Sequence, residues 1–221
     1  NSEIEVEHGS TGAGGETSLE FGYLDFMIRP EFNVRAGMML MPSGLVNELH
    51  EPTAFLGAKR PDVERTVIPS TWREPGVGIF GEVGPVTYRT YLVTGLRSDR
   101  FSSSGIRSGR QSGGKALAED LALIARADWN VTDGVLVGGS YYRSDSAQSK
   151  TTPAGESFDA TVAIAELHAD LKLRGFQARA LWSDGSITDA AAVNAANNLT
   201  GKNSVGEEFG GWYAEAGYDL G

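Results

Sequence analysis

Cysteine is absent from all 221 residues, which excludes disulfide frameworks and thiolate metal sites. No stretch approaches about 18 consecutive apolar residues, so no segment reads as a membrane-spanning helix. Bases are in the minority, with 19 Lys and Arg against 29 Asp and Glu, and the formal net charge is −10. That balance excludes a general nucleic-acid binder, which needs a basic face to displace counterions. Apolar residues make up 40%, low for a chain that buries one dense core. No Gly-x-Ser-x-Gly, phosphate-loop or dinucleotide fingerprint is present. No catalytic residue, cofactor or metal is therefore expected, and the chain is not expected to be an enzyme. No basic-then-apolar leader opens the sequence, so the expectation is a processed chain or one whose start lies elsewhere.

What the chain has is glycine, 29 in all, nearly twice the average of about 7% and without a Gly-X-Y period. It also has period-2 alternation, which a strand needs when its two faces meet different environments. Ala163, Ala165, Leu167, Ala169, Leu171 and Leu173 alternate with Glu166, His168, Asp170 and Lys172. After Arg174-Gly175 the pattern resumes, with Phe176, Ala178, Ala180 and Trp182 against Gln177, Arg179 and Ser183. Leu121 to Trp129, Phe32 to Met41 and Trp212 to Asp219 alternate in the same way. In 19–28 the apolar phase is ambiguous between Phe21/Tyr23 and Leu24/Phe26/Ile28.

About ten strands follow, at 2–8, 17–29, 31–41, 76–83, 86–96, 117–129, 134–143, 158–174, 176–184 and 207–220. Their connections alternate between very short ones and long ones near 42–75, 97–117, 144–157 and 184–206. A soluble β-sandwich with one wet face is the rival reading, and it has no reason for that alternation. A transmembrane barrel has one, because its turns are short on one side and its loops long on the other. The fold class expected is all-β, an antiparallel transmembrane β-barrel over 1–221 as a single domain. The expectation is that these strands are part of a larger barrel of roughly 14–18 strands.

Charged residues on the polar phase would be costly in a dry core and on a lipid face alike. Glu166, His168, Asp170, Lys172 and Arg179 are therefore expected to line a water-filled lumen. Trp129, Trp182, Trp212 and Tyr218 suit aromatic girdles. Charge is also uneven along the chain. Residues 59–115 carry ten bases and five acids inside an acidic protein. If the long loops fold inward, Arg60, Arg65, Arg73, Arg89, Arg107 and Arg110 could ring a constriction and favour anions. The alternative is that these cations pair with Asp62, Glu64, Glu74 and Glu82, or bind lipopolysaccharide phosphates. The segment Thr66 to Gly76, with Val67, Ile68 and Trp72, is expected to pack against the inner wall. His50 between Glu48 and Glu51 matches no zinc spacing. Ala-rich 189–198 suggests a short helix capped by Thr188.

Three runs resemble a family. They are Met41-Pro42-Ser43-Gly44-Leu45-Val46-Asn47-Glu48-Leu49-His50-Glu51-Pro52, Val67-Ile68-Pro69-Ser70-Thr71-Trp72-Arg73-Glu74-Pro75-Gly76-Val77-Gly78, and Gly105-Ile106-Arg107-Ser108-Gly109-Arg110-Gln111. They resemble Gram-negative outer-membrane porins of the phosphate-selective porin O and P type, mainly over 17–143. The resemblance implies a passive diffusion channel in the bacterial outer membrane, often a homotrimer, that passes small anionic solutes. Its surroundings would be outer-membrane lipids and lipopolysaccharide, with no nucleic acid. A structural or ligand-binding barrel with a blocked lumen, or a barrel hydrolase, are the other functions weighed. The strands here are mixed in charge and not Lys-rich.

Overall fold

The computed structural model describes residues 1–7, 16–49 and 54–219. Among these residues ten strands form one sheet in which each pairs antiparallel with the next. They are β1 Ser2–Glu7, β2 Glu16–Arg29, β3 Phe32–Leu40, β4 Arg73–Val83, β5 Val86–Thr94, β6 Leu121–Thr132, β7 Val135–Ser144, β8 Val162–Leu173, β9 Phe176–Ile187 and β10 Glu208–Tyr218. The short helices α1 Val63–Thr66 and α2 Ala190–Ala196 lie in long connections. Among the described residues β1 and β10 do not pair with each other, so the barrel-like sheet keeps two edges.

At one end, two-residue turns at 30–31, 84–85, 133–134 and 174–175 join the strands. Arg174 and Gly175 both take positive φ, 50° and 82°, the backbone that matches the twist of a tight hairpin. At the other end lie the long connections. The expected strand at 158–174 starts only at Val162, because Ala160 turns into the left-handed region at φ 50°. The helix expected near 189–198 forms at Ala190–Ala196, but Thr188 does not cap it. Its Oγ1 accepts from the Thr161 N–H at 2.9 Å instead.

The ambiguous phase of β2 has a local cause. Phe21 pairs with Glu3 and Leu19 with Ile4, so Glu20 is the extra residue of a β-bulge. Leu19 before the bulge and Leu24, Phe26 and Ile28 after it all face outward, exposed, while Glu20 is buried. A bulge shifts the two-residue period by one, and no single phase fits both halves.

The outer face is apolar, with Leu24, Leu92, Leu123, Trp129, Leu167, Trp182, Trp212 and Tyr218 exposed. The inner face has two zones. Near the long connections it is a dry core of Met39, Tyr91, Val93, Ile124, Tyr142, Val162 and Ile164, filled in by Met41, Trp72, Leu96, Phe101, Ile106 and Val193. Nearer the short turns the same strands carry Arg35, Arg89, Arg126, Asp128, Glu166, His168 and Asp170. No helix among the described residues is long and apolar enough to cross a membrane.

Candidate functional site: an inward loop against a charged wall

Register sets the wall. Arg89 lies directly opposite Arg126, Arg126 opposite Ser140, and Ser140 opposite Glu166. One inward position closer to the turns runs the row Thr87, Asp128, Gly138 and His168. Asp128 on β6 and His168 on β8 have β7 between them. They meet above Gly138, where a Cβ would stand 2.7 Å from His168 Nε2 and closer still to the Asp128 carboxylate. Gly138→Val is therefore expected to drive the two side chains apart and lower Tm by several degrees, for a loss of about 2–3 kcal/mol. A thermal melt unchanged from wild type would mean that the bridge is not formed.

His168 is enclosed. Its Nδ1 lies 2.6 Å from Glu166 Oε1 and its Nε2 2.8 Å from Asp128 Oδ1. Arg126 Nε donates to both Asp128 oxygens, at 3.0 and 2.8 Å. Glu166 Oε2 accepts from Ser140 Oγ at 2.9 Å. The Arg126 guanidinium, the His168 ring and the two carboxylates thus satisfy one another, which is what lets them stay out of water. No group of three or more His, Asp and Glu among the described residues is arranged to hold a metal ion.

The described parts of the connection between β3 and β4, 41–49 and 54–72, fold across the inner face and dock on this network. Arg126 Nη1 donates to the Gly44 carbonyl, and the Gly44 N–H reaches Glu166 Oε2 at 3.4 Å. Ser43 Oγ meets Ser140 Oγ at 3.1 Å. Asn47 locks the loop on itself. Its amide donates to the Met41 and Trp72 carbonyls at 2.9 and 3.0 Å and accepts from the Trp72 N–H at 2.8 Å. Val67, Ile68 and Trp72 are buried, as the segment's apolar content requires. The far side of the loop reaches β10, where Tyr213 Oη donates to Glu64 on α1. Glu64 also accepts from the Val46 N–H at 2.7 Å.

Burial raises the Glu64 carboxyl above its ordinary 4.5, with hydrogen bonds from Tyr213 and Val46 opposing it. An acid raised on folding contributes most below its unfolded value, and its contribution falls as pH rises through the folded one. Glu64→Gln is therefore expected to gain on wild type as pH rises above the ordinary carboxylate range. A stability difference independent of pH would contradict the burial of a charge there.

Loop and wall line a half-open cavity of about 580 Å³. Its lining includes Arg35, Arg89, Arg126, Lys172 and Arg179, the acids Glu48, Asp128 and Asp170, and the apolar Leu45, Leu49 and Leu136. Arg35 is gripped by Asp25 at 2.7 and 2.9 Å and lies 3.8 Å over the Tyr23 ring. Arg179 binds Asp170 at 3.2 Å and also donates to the Ala54 carbonyl. Lys172 lies 3.5 Å from Asp170 and is mostly exposed.

Of the six arginines expected at a constriction, Arg89 alone lines this cavity. Arg60 stacks on Phe55 at 5.4 Å. Arg65 pairs with exposed Asp62 at 3.2 Å, and Arg73 with Glu20 at 3.0 Å. Arg110 is a strut between two long connections, donating to the Ser70 and Thr71 carbonyls. Burial, and then Arg107 and Arg73 nearby, lower it to about 10. Arg60, Arg73, Arg107 and Arg110 thus gather near the long connections and not in the charged zone. Asp170, Lys172 and Arg179 line the cavity. Glu166 and His168 face inward, yet the expectation that open water solvates them fails, because the docked loop covers them. Arg35, Arg126, Asp128 and Glu48 were not singled out from sequence. The first three sit on polar phases that were visible there, whereas Glu48 reaches the wall only through the fold of its loop. His50 and Glu51 lie outside the described residues.

No family model matches this sequence. An uncharacterized protein of Aquifex aeolicus (strain VF5) is 33% identical over 231 aligned positions, which cover 100% of this chain and 52% of that protein. The chain thus spans about half the length of the curated relative it matches. Among solved structures, a porin refined at 1.8 Å resolution is similar over 100% of this chain and 68% of its own, with 16% identity and a TM-score of 0.48.

Proposed function

We propose that the protein forms a porin-like channel in a bacterial outer membrane, for passive diffusion of small solutes with a preference for anions. The observation that carries this reading is the opposite chemistry of the two faces of one antiparallel sheet. The outer face offers Leu, Ala and Trp to lipid. The inner face holds a charged cavity narrowed by an inward loop. Five bases against three acids line that cavity, and rings of Arg and Lys favour anions in pores. The acids among them support a general anion preference over a dedicated phosphate filter. Lipid, lipopolysaccharide and a homotrimeric assembly belong to the same proposal, and no enzymatic step does.

Planar-bilayer conductance with a salt gradient tests it. Open channels with an anion-favouring reversal potential are expected. Arg89→Gln with Lys172→Gln should shift that potential toward cations, while Arg107→Gln, outside the cavity, should leave it unchanged. Inserted protein that conducts nothing would remove the channel reading.

One observation favours a second reading, a ligand-binding barrel with a blocked lumen. The inner face near the long connections is a packed core with Trp72, Leu96 and Ile106 fully buried. Absence of current together with retained insertion would select it.

A further inference from the structure

We infer that Arg89 and Arg126 form a carboxylate-binding site whose resident ligand is the Glu48 side chain, and that small aliphatic carboxylates from solution displace it. This rests on the channel reading only in that solutes reach the cavity by diffusion.

The pairing register places the two guanidinium-bearing residues directly opposite each other on the inner face. Like charges at such positions repel, so an anion between them is needed. Asp128 does not meet that need alone. It is committed to Arg126 Nε and His168, and stands 3.6 Å from Arg89. The missing anion comes from the loop. Glu48 Oε2 accepts from Arg89 Nη1 and lies 3.9 Å from Arg126 Nη1. The adjacent Asn47, clamped to Met41 and Trp72, presents it there.

Two further features separate a displaceable ligand from a structural ion pair. The Glu48 and Arg89 side chains keep 26% and 28% exposure, whereas Arg126 and Asp128 keep 8% and 4%. The site is therefore solvated on the side of the incoming group and rigid behind. The cavity beside it presents Leu45, Leu49 and Leu136, which suits a short aliphatic tail behind a carboxylate head. A guanidinium binds that head through paired N–H groups.

A tethered occupant lowers apparent affinity by the fraction of time that the site is free. Titration calorimetry of the full chain in detergent micelles, with sodium butyrate, tests this. Glu48→Gln, which keeps the shape and removes the charge, is expected to bind butyrate about tenfold more tightly than wild type. Glu48→Gln with Arg89→Gln is expected to lose that gain. Equal affinity in wild type and Glu48→Gln, or gain retained without Arg89, would overturn the site. So would inorganic phosphate binding to Glu48→Gln while butyrate does not. Butyrate binding of the expected pattern in a protein that conducts no current would refute the channel and leave the site. A conducting protein in which Glu48→Gln binds no tighter would refute the site alone.

Discussion

Arg126→Ala is expected to lower the unfolding free energy by about 3–5 kcal/mol, the usual cost of removing one partner of a buried ionic network. Its side chain is 8% exposed and Asp128 beside it 4%. Without it the Asp128 carboxylate keeps His168 as its close partner, and the Gly44 carbonyl loses its donor. Arg126→Lys should recover only part of the loss, because one ammonium cannot serve Asp128, Gly44 and Glu48 as a planar fork does. Denaturant unfolding in detergent micelles measures both variants. A loss under about 1 kcal/mol, typical of exposed pairs, would mean that water reaches the network. The same substitution unpins the loop, so amide exchange at Gly44 and Val46 should accelerate.

Trp72→Ala is expected to cost a similar amount, about 3–5 kcal/mol, for a different reason. Trp72 is fully buried at the apolar end of the inner face, its ring 4.7 Å from that of Tyr142. Deleting it leaves a cavity between the loop and the wall that the backbone cannot close, since Asn47 holds both the N–H and the carbonyl of residue 72. Trp72→Phe keeps a ring against Tyr142 and should lose less. If Trp72→Ala costs no more than the roughly 0.5 kcal/mol of a surface change, the loop is not packed as described. In a conducting protein, Trp72→Ala should also raise single-channel current, because the core it belongs to narrows the inner space.

These two predictions concern the two zones of the inner face, and the zones differ in how legible they are. Alternation from Leu121 to Trp129 assigned one phase correctly to the outer, apolar face. The opposite phase begins with Ala122 and Ile124 and only then becomes Arg126 and Asp128. In β8 the same phase begins with Val162 and Ile164 before Glu166 and His168. The change from apolar to charged along a single phase is written in the sequence. Its meaning is not, because it depends on which loops fold back over which end.

Other features needed more than one strand at a time. The Glu20 bulge hides the phase of β2, since one inserted residue inverts every side chain beyond it. The contact between Asp128 and His168 requires that Gly138 lie between them in register. The arginines of the basic segment looked equivalent, yet Arg110 ties two connections together, Arg65 meets a surface aspartate, and Arg89 faces the cavity.

Strand existence, approximate ends, tight turns and the alternation of short and long connections follow from the sequence alone, because each depends on neighbours within a dozen residues and on a period of two. Which charges become partners was decided only by tertiary structure. Cross-strand register put Arg89 beside Arg126, and the inward fold of 41–49 delivered Glu48 between them, 41 residues from Arg89 along the chain. Electrostatic attraction acts on distance in space, and distance along the chain does not determine that until the sheet and its loop have closed around the same volume.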